Sequence, residues 1–225
     1  MDWQALLLTL KLDLCVCGLL FAIGVPLAFW LAYCSWRAKF LVEAIIALPL
    51  VLPPTVLGFY LLLAMGPHSL LGRTYFWAWG HGLPFTFGGL VVASVIYSLP
   101  FMVQPISAAF AAVDPKLISA SEVLGASGLR TFMRVILPLS VTGLLTGLVL
   151  TFAHTLGEFG VVLMVGGNIP GVTRTVSISI YDNVQALDYA SAGTTSLVLL
   201  LISFAILSVV YGLNRTKPLL WPTRN

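Results

Sequence analysis

Few residues of this 225-residue sequence could carry out covalent chemistry. Its three histidines are scattered along the chain, whereas an enzyme needs a cluster of nucleophile, base or metal ligands. Its three cysteines fall in or beside the first apolar run, where two of them, one residue apart, would point to different sides of a helix. No G-x4-G-K-[ST] phosphate loop occurs, so ATP hydrolysis by that route is excluded. The residues considered are His68, His81, His154, Cys15, Cys17 and Cys34, and they predict neither a catalytic nor a metal site.

The polar residues that stand out are one carboxylate and a set of hydroxyls within apolar runs. Glu158 lies in the string LGEFG, beside a long uncharged run. Serine and threonine hydroxyls can donate hydrogen bonds to a solute without binding it tightly, although each can also bond back to its own helix. Such groups suit a passage better than a reaction. The hydroxyls belong to Thr55, Ser94, Ser98, Thr142, Thr146, Thr151 and Thr155.

The composition places these residues in a membrane. The chain is 59% hydrophobic and 8% charged, and its mean hydropathy is +1.02, which excludes an ordinary water-soluble domain. Five uncharged runs are long enough to cross about 30 Å of hydrocarbon as helices. Because the runs are continuously apolar, they predict helices and not barrel strands. We expect a single all-α domain over residues 1 to 225, with spans at residues 14 to 33, 44 to 65, 85 to 113, 135 to 157 and 190 to 213.

The basic residues predict how these spans are oriented. Lysine and arginine concentrate in cytoplasmic loops, and here they follow span one, separate spans three and four, and follow span five. The N-terminus is therefore expected outside, and no cleaved signal peptide is predicted. The same pattern accounts for the net charge of +3 without a nucleic-acid partner. The basic positions are Arg37, Lys39, Lys116, Arg130, Arg134, Arg215, Lys217 and Arg224.

Prolines interrupt the second span. Pro49, Pro53 and Pro54 cannot sit in one unbroken helix, because each removes an amide donor and clashes with the preceding turn. Irregular backbone at membrane depth is tolerated where it is buried in protein or lines a wet cavity. The break is therefore a candidate pathway element, with a simple packing kink as the alternative. In span four, Gly143 and Gly147 have the spacing that lets two helices approach closely, and the sequence leaves their partner open.

A polar segment of residues 114 to 138 separates spans three and four. Asp114 can accept hydrogen bonds from free amides and Pro115 suits the first helical position, so a short helix is predicted to begin there. Gly125 can end it. Such an amphipathic helix could lie on the lipid surface or dock on a protein. Its predicted common face consists of Leu117, Ile118, Ser121 and Leu124.

The polar segment resembles the loop signature of ABC importer permeases. It matches the G-x9-I-x-L-P part of that signature, with valine in place of isoleucine, whereas the signature's glutamate is missing. The strings LPLVLPPTVLGFYLLL, DPKLISASEVLGAS, LGEFG and NIPGVTRT extend the resemblance over nearly the whole chain, to permeases for molybdate, whose nearest relatives transport sulfate and thiosulfate. The matching residues are Gly125, Val135, Leu137 and Pro138, with Ala120 and Ser121 at the positions of the signature's paired alanines.

The resemblance implies an oxyanion permease in the bacterial inner membrane. Residues 114 to 134 would contain a coupling helix that docks on a cytoplasmic ABC ATPase. The paired ATPase would require a second copy of the permease, and a periplasmic binding protein would deliver the oxyanion. The chain itself would bind no cofactor, because ATP and Mg would sit on the partner ATPase. The implied coupling residues are Asp114, Pro115, Leu117, Ile118, Ala120, Ser121, Gly125, Leu137 and Pro138.

The spans offer hydroxyls but no lysine or arginine at their centres, as a low-affinity anion passage requires. Glu158 would repel an anion, so we expect it to pair with Arg174 or another cation, or to accept hydrogen bonds near an outer gate. His154 is expected to be a packed, neutral histidine. A secondary transporter or channel is the rival interpretation, and it would need ion-coupling carboxylates such as Glu158 and Asp13. The candidate pathway residues are Pro53, Pro54, Thr55, Ser98, Thr151 and Glu158.

Overall fold

The computed structural model describes residues 2 to 216, with side chains through residue 208, and every regular element in this part of the chain is helical. The predicted all-α class is therefore confirmed for the described residues. In order, the elements are α1 (Trp3–Tyr33), α2 (Lys39–Val51), α3 (Pro54–Met65), α4 (Leu70–Trp79), α5 (Phe87–Ala111), α6 (Pro115–Val123), α7 (Gly128–Thr131), a π-helical turn (Phe132–Ile136), α8 (Leu137–Leu139), α9 (Val141–Leu156), α10 (Gly160–Gly166), α11 (Val176–Gln185) and α12 (Tyr189–Thr216).

Among the described residues, five candidate membrane spans are found when each bent helix pair counts as one. The helices α1, α5 and α12 are each long and apolar enough to cross a membrane. The other two spans are broken: α2 and α3 meet at 116°, and the helices of Gly128–Leu139 meet α9 at 69°. The first span starts earlier than predicted, at Trp3, and Asp2 caps it by accepting a hydrogen bond from the amide of Ala5 at 2.9 Å. Lys11 and Asp13 therefore lie inside the helix.

The helices α1, α5 and α9 pack against one another to form the core. The fully buried side chains Val16, Met102 and Phe110 lie at these contacts. A Cβ atom placed on Gly147 would lie 2.9 Å from the carbonyl oxygen of Met102. The partner of the glycine pair in span four is therefore α5 of the same chain, which the sequence left open.

Hydrogen bonds join the end of α1 to the end of α5 and the start of α2, at the end of the molecule that carries the polar segment and is called here the loop end. The Tyr33 hydroxyl donates to the carbonyl oxygen of Phe110 at 2.8 Å, and the Lys39 ammonium donates to that of Leu31 at 3.1 Å. Lys39 thus lies at the same end as the polar segment that follows α5, as the orientation rule predicts. Two other basic residues of that prediction, Lys217 and Arg224, lie outside the described residues. The opposite end contains the start of α1 and is called the N-terminal end.

Several connections are more helical than the sequence predicts. Residues 66 to 84, predicted as a loop, contain α4. The segment after Glu158 forms α10, a seven-residue helix without a side-chain cap at its start, which the sequence analysis did not predict. The segment that follows NIPGVTRT forms α11, in which Val176 and Ile178 are buried. Despite Pro100 and Pro105, α5 continues without a break.

Candidate functional site

The polar segment forms the predicted short helix. The side chain of Asp114 accepts a hydrogen bond from the amide of Lys116 at 2.8 Å, and Pro115 occupies the first turn of α6. At the other end, Gly125 has φ +77°, a left-handed conformation that glycine adopts without strain. The predicted start and stop of the helix are both confirmed.

The predicted common face of α6 divides into two parts. The side chains of Ile118 and Ser121 face the rest of the chain, and the Ser121 hydroxyl lies 2.8 Å from that of Thr131. Leu117 and Leu124 point away: Leu124 is 86% exposed, as is its neighbour Val123 at 87%. Ala120 and Asp114 are exposed as well. The segment therefore presents an uncovered apolar surface, formed by Leu117, Val123, Leu124 and Leu129 and called here the α6 surface.

The α6 surface is joined to the core by a short helical arm. After α7 the chain makes a π-helical turn and then α8, in which Pro138 lies in the first turn. Ile136 is buried and Leu137 packs against the same core cluster. The Ser140 hydroxyl donates to the carbonyl oxygen of Ala109 at 3.4 Å, where the arm bends into α9. The arm thus connects α6 to α5 and α9.

The break in the second span is exposed. Leu52 and Pro53 have extended backbone conformations between α2 and α3, and Pro53, Pro54 and Thr55 are all exposed. Because Thr55 lies in the first turn of α3, its amide has no intrahelical acceptor. The predicted break in the helix is confirmed, although Pro49 is accommodated inside α2.

The helix α10 packs along this break. A Cβ atom on Gly160 would lie 2.8 Å from the Cβ of Pro54, and one on Gly58 of α3 would lie 2.7 Å from the Cβ of Met164. The two helices therefore touch through glycine at both positions. This contact joins the break to the segment that carries Glu158, and sequence reasoning missed it.

A line of polar side chains runs between α5 and the end of α9. The Ser98 hydroxyl lies 2.9 Å from Nδ1 of His154 and 2.9 Å from the hydroxyl of Thr155. The His154 ring stacks on Phe101, with ring centroids 4.1 Å apart, as expected for a packed histidine. Thr151 is buried and its hydroxyl has no hydrogen-bond partner among the described residues. The predicted residues Ser98 and Thr151 thus lie in one seam.

Glu158 lies where this seam approaches the N-terminal end, between α9 and α10. Its side chain is 4% exposed, and neither carboxyl oxygen has a hydrogen-bond partner in the described part of the chain. The Ser94 hydroxyl of α5 lies close to it and is also unpartnered. An unpaired carboxyl buried at membrane depth is costly and indicates a functional reason for its retention.

The expected pairing of Glu158 with Arg174 is wrong. Nε of Arg174 donates to the Asn168 side-chain oxygen at 2.6 Å, and its guanidinium lies 3.4 Å from a carboxylate oxygen of Asp182 and 4.0 Å from one of Asp2. Asp2 lies near the other end of the chain, so the sequence did not predict that it is a partner of Arg174.

The remaining candidate hydroxyls divide between the seam and their own helices. The Thr146 hydroxyl donates to the carbonyl oxygen of Thr142 at 2.8 Å, so this hydroxyl bonds back to its own helix. Thr55 lies at the break, in the first turn of α3. Within the described residues, no group of three or more histidine, cysteine or acidic side chains could hold a metal ion.

Comparison with known proteins identifies relatives over the whole length. Residues 24 to 216 match the family model described as "Binding-protein-dependent transport system inner membrane component". The chain is 50% identical over 217 residues to "Molybdenum transport system permease protein ModB" of Azotobacter vinelandii, covering 96% of each chain. It is 38% identical over 210 residues to the protein of that name from Escherichia coli K12, covering 93% of this chain and 91% of the relative.

The fold is also similar to that of solved structures. A chain in the crystal structure of a bacterial ABC transporter that imports the acidic polysaccharide alginate superposes with a TM-score of 0.79 at 18% identity, covering 95% of this chain and 79% of the other. A second alginate transporter structure, in complex with an alginate-bound periplasmic protein, gives a TM-score of 0.77 at 17% identity, with 95% and 78% coverage. At these identities the likeness concerns the fold alone.

Proposed function

The chain belongs to the family of binding-protein-dependent transport system inner membrane components, and on that premise we propose that it is the permease subunit of an ATP-driven importer for molybdate. The observation that carries the proposal is the 50% identity to a molybdenum permease over 96% of both chains. Sulfate is the oxyanion against which the proposal has to be tested.

The α6 surface is the proposed docking site for a separate ATPase. Four exposed apolar side chains at one end of the molecule are costly in water and are typical of a protein contact. The sequence has no phosphate-binding loop of its own, so in this proposal ATP and Mg are bound by the partner. The arm through Ile136 and Leu137, which packs on the core, would connect the docked ATPase to α5 and α9.

A second copy of the chain completes the proposed assembly. One docking helix per chain and two ATPase clefts require two permeases, related by a two-fold axis. The described part of α12 leaves a row of large apolar side chains uncovered, namely Leu197, Leu200, Leu201 and Phe204. Lipid and the second copy would share this surface. A periplasmic binding protein would deliver the oxyanion at the N-terminal end.

The break and the seam supply the proposed gate. Closure of the ATPase would pull on α6 and, through the arm, shift α9 and the α10 segment that packs on Pro54. The seam hydroxyls and the Thr55 amide offer donors without a central lysine or arginine, so the anion would be passed on and not retained. Selection among oxyanions would then belong to the binding protein.

The test is uptake of labelled molybdate into vesicles that contain the permease with its ATPase and binding protein. We expect uptake that requires ATP, is blocked by tungstate and is blocked far less by sulfate. Uptake that continues without ATP would contradict an ABC importer and favour a secondary transporter. Sulfate that competes as well as tungstate would overturn the assignment to molybdate while leaving the importer class intact.

A variant pair tests the docking surface in the same vesicles. Leu124→Asp places a charge at the centre of the α6 surface and should abolish both ATPase association and uptake. Leu187→Asp is the matched control, because Leu187 is also exposed, at 72%, but lies in the loop between α11 and α12. Equal loss of uptake in both variants would contradict docking at α6.

A further inference from the structure

A cavity of about 560 Å³ opens at the loop end, between the end of α1, the start of α2 and the second half of α5. Alanines form much of its wall, and their small side chains leave open space between the three packed helices. Four polar side chains line it as well. They are Lys39 and Glu43 from α2, and Gln104 and Ser107 from α5.

The position of Gln104 favours a cavity that is open to water. Its side chain is exposed although it lies about 10 Å inside α5, seven residues before the helix ends at Ala111. An amide facing hydrocarbon at that depth would lose its hydrogen bonds at a cost of several kcal/mol. The outer face of α2 shows the contrast, since Ile45 is exposed there and apolar, as lipid contact requires.

The charges in the cavity are arranged to attract an anion weakly. The Lys39 ammonium lies 3.5 Å from a carboxylate oxygen of Glu43 and donates to the carbonyl oxygen of Leu31 at 3.1 Å. The amide of Gln104 and the hydroxyl of Ser107 add neutral donors. The positive charge of the ammonium would attract an oxyanion, but the adjacent carboxylate would offset most of that attraction.

We propose that this cavity is the exit vestibule of the transported oxyanion, in which Lys39 attracts the dianion and Glu43 keeps the attraction weak enough for release. The inference rests on the proposed import function and adds the route by which the substrate leaves. The vestibule supplies the first cation that an anion meets after passing spans without a central lysine or arginine. Its neutralised charge pair fits release, because a bare ammonium there would retain the anion.

Thiol labelling tests the vestibule directly. In a chain with Cys15, Cys17 and Cys34 replaced by serine, Gln104→Cys is assembled with the ATPase and binding protein in inside-out vesicles. It is then treated with methanethiosulfonate reagents that carry either a sulfonate or a trimethylammonium group. Val92→Cys is the matched control, since Val92 is also exposed on α5 but lies in its first half, away from the cavity. Gln104→Cys should react with both reagents and Val92→Cys with neither.

The charge pair is then varied in the Gln104→Cys background. Glu43→Gln should raise the rate of sulfonate labelling about three- to tenfold and Lys39→Gln should lower it by a similar factor, as expected for one partly screened unit charge nearby. Trimethylammonium labelling should change in the opposite direction. The double variant Lys39→Gln with Glu43→Gln should label at nearly the rate of the parent with both reagents. In uptake, Glu43→Gln should slow transport, and the double variant should restore much of it.

Two results would overturn the vestibule. One is a Gln104→Cys that neither reagent reaches in the assembled importer, which would mean that a second copy or lipid covers the cavity. The other is labelling by the two reagents that is unaffected by Lys39→Gln and Glu43→Gln. Uptake by the unsubstituted chain is measured beside them. If that uptake fails while labelling behaves as expected, the proposed substrate is wrong and the vestibule stands.

Discussion

Gly160 and Pro54 lie in direct contact, so the first residue of α10 rests on the first residue of α3. A Cβ atom on Gly160 would come within 2.8 Å of the Cβ of Pro54, closer than two carbon atoms can approach without a shift. Proline is rigid and Pro54 begins a helix. The contact therefore fixes the helix after Glu158 against the break in the second span.

Gly160→Ala should displace α10 from the break. We expect a loss of about 1–3 kcal/mol of stability, the usual cost of forcing a methyl group into a packed contact, and a larger relative loss of molybdate uptake, because the gate is distorted. Gly157→Ala is the control, since a Cβ there would have its nearest neighbour at 3.7 Å. Thermal unfolding and uptake are measured on both. Equal behaviour of the two variants would argue against a role for this contact.

The contact between α9 and α5 gives a second prediction. A Cβ on Gly147 would lie 2.9 Å from the Met102 carbonyl oxygen and 3.2 Å from the Ile106 side chain. Gly147→Val should separate the two helices and lower stability by about 2–4 kcal/mol, from overpacking and the lost core contacts. The measurement is thermal unfolding of the purified protein in detergent.

Gly18→Val is the control for Gly147→Val, because a Cβ at Gly18 would have no neighbour within 4 Å. It should change stability by less than about 1 kcal/mol. If Gly147→Val unfolded at the same temperature as Gly18→Val, the packing of α9 on α5 described above would be incorrect.

The elements that could be predicted from sequence are those with local causes. The short helix α6 follows from Asp114, Pro115 and Gly125, which act on amides and carbonyls a few residues away. The break at Pro53 is equally local, because proline alone prevents the helix from continuing. The five spans were predicted from their long apolar runs, and the first was predicted to start too late because Lys11 and Asp13 lie inside α1.

The features that could not be predicted depend on residues far apart in sequence. The contact of Gly160 with Pro54 joins positions more than a hundred residues apart, and one sequence does not reveal it. The network of Arg174 was missed because Asp2 lies at the other end of the chain. The vestibule was missed as well, because Lys39 and Gln104 line the same cavity only when α2 packs on α5.

The Arg174 network should hold residues 168 to 175 in place at the N-terminal end. Arg174→Gln removes the contacts to Asp182 and Asn168, and we expect a loss of about 1–2 kcal/mol, toward the lower end of the range for charged hydrogen bonds because the side chain is partly exposed. Amide hydrogen exchange at residues 168 to 175 should increase. Arg73→Gln, at an exposed arginine of α4, should leave that exchange unchanged. Unaltered exchange in Arg174→Gln would contradict the structural role of the network.

Glu158 provides the sharpest test, because the structure leaves its carboxyl buried and unpaired among the described residues. A neutral amide costs less to bury than a carboxylate, so Glu158→Gln should keep or raise the unfolding temperature. If the carboxyl is retained for function at the gate, the same variant should transport molybdate several-fold more slowly. Thr146→Val is the control, since that hydroxyl bonds only to its own helix, and it should transport normally.

Two outcomes would contradict this interpretation of Glu158. A Glu158→Gln variant that unfolds at a clearly lower temperature would mean that the carboxylate makes a stabilising contact, for example with the second copy. A variant with unchanged stability and unchanged uptake would mean that the carboxyl serves neither folding nor the gate. Measuring Ser94→Ala in parallel separates these cases, because its hydroxyl lies beside the carboxyl. If the two side chains act together at the gate, Ser94→Ala should slow uptake and add little to the effect of Glu158→Gln.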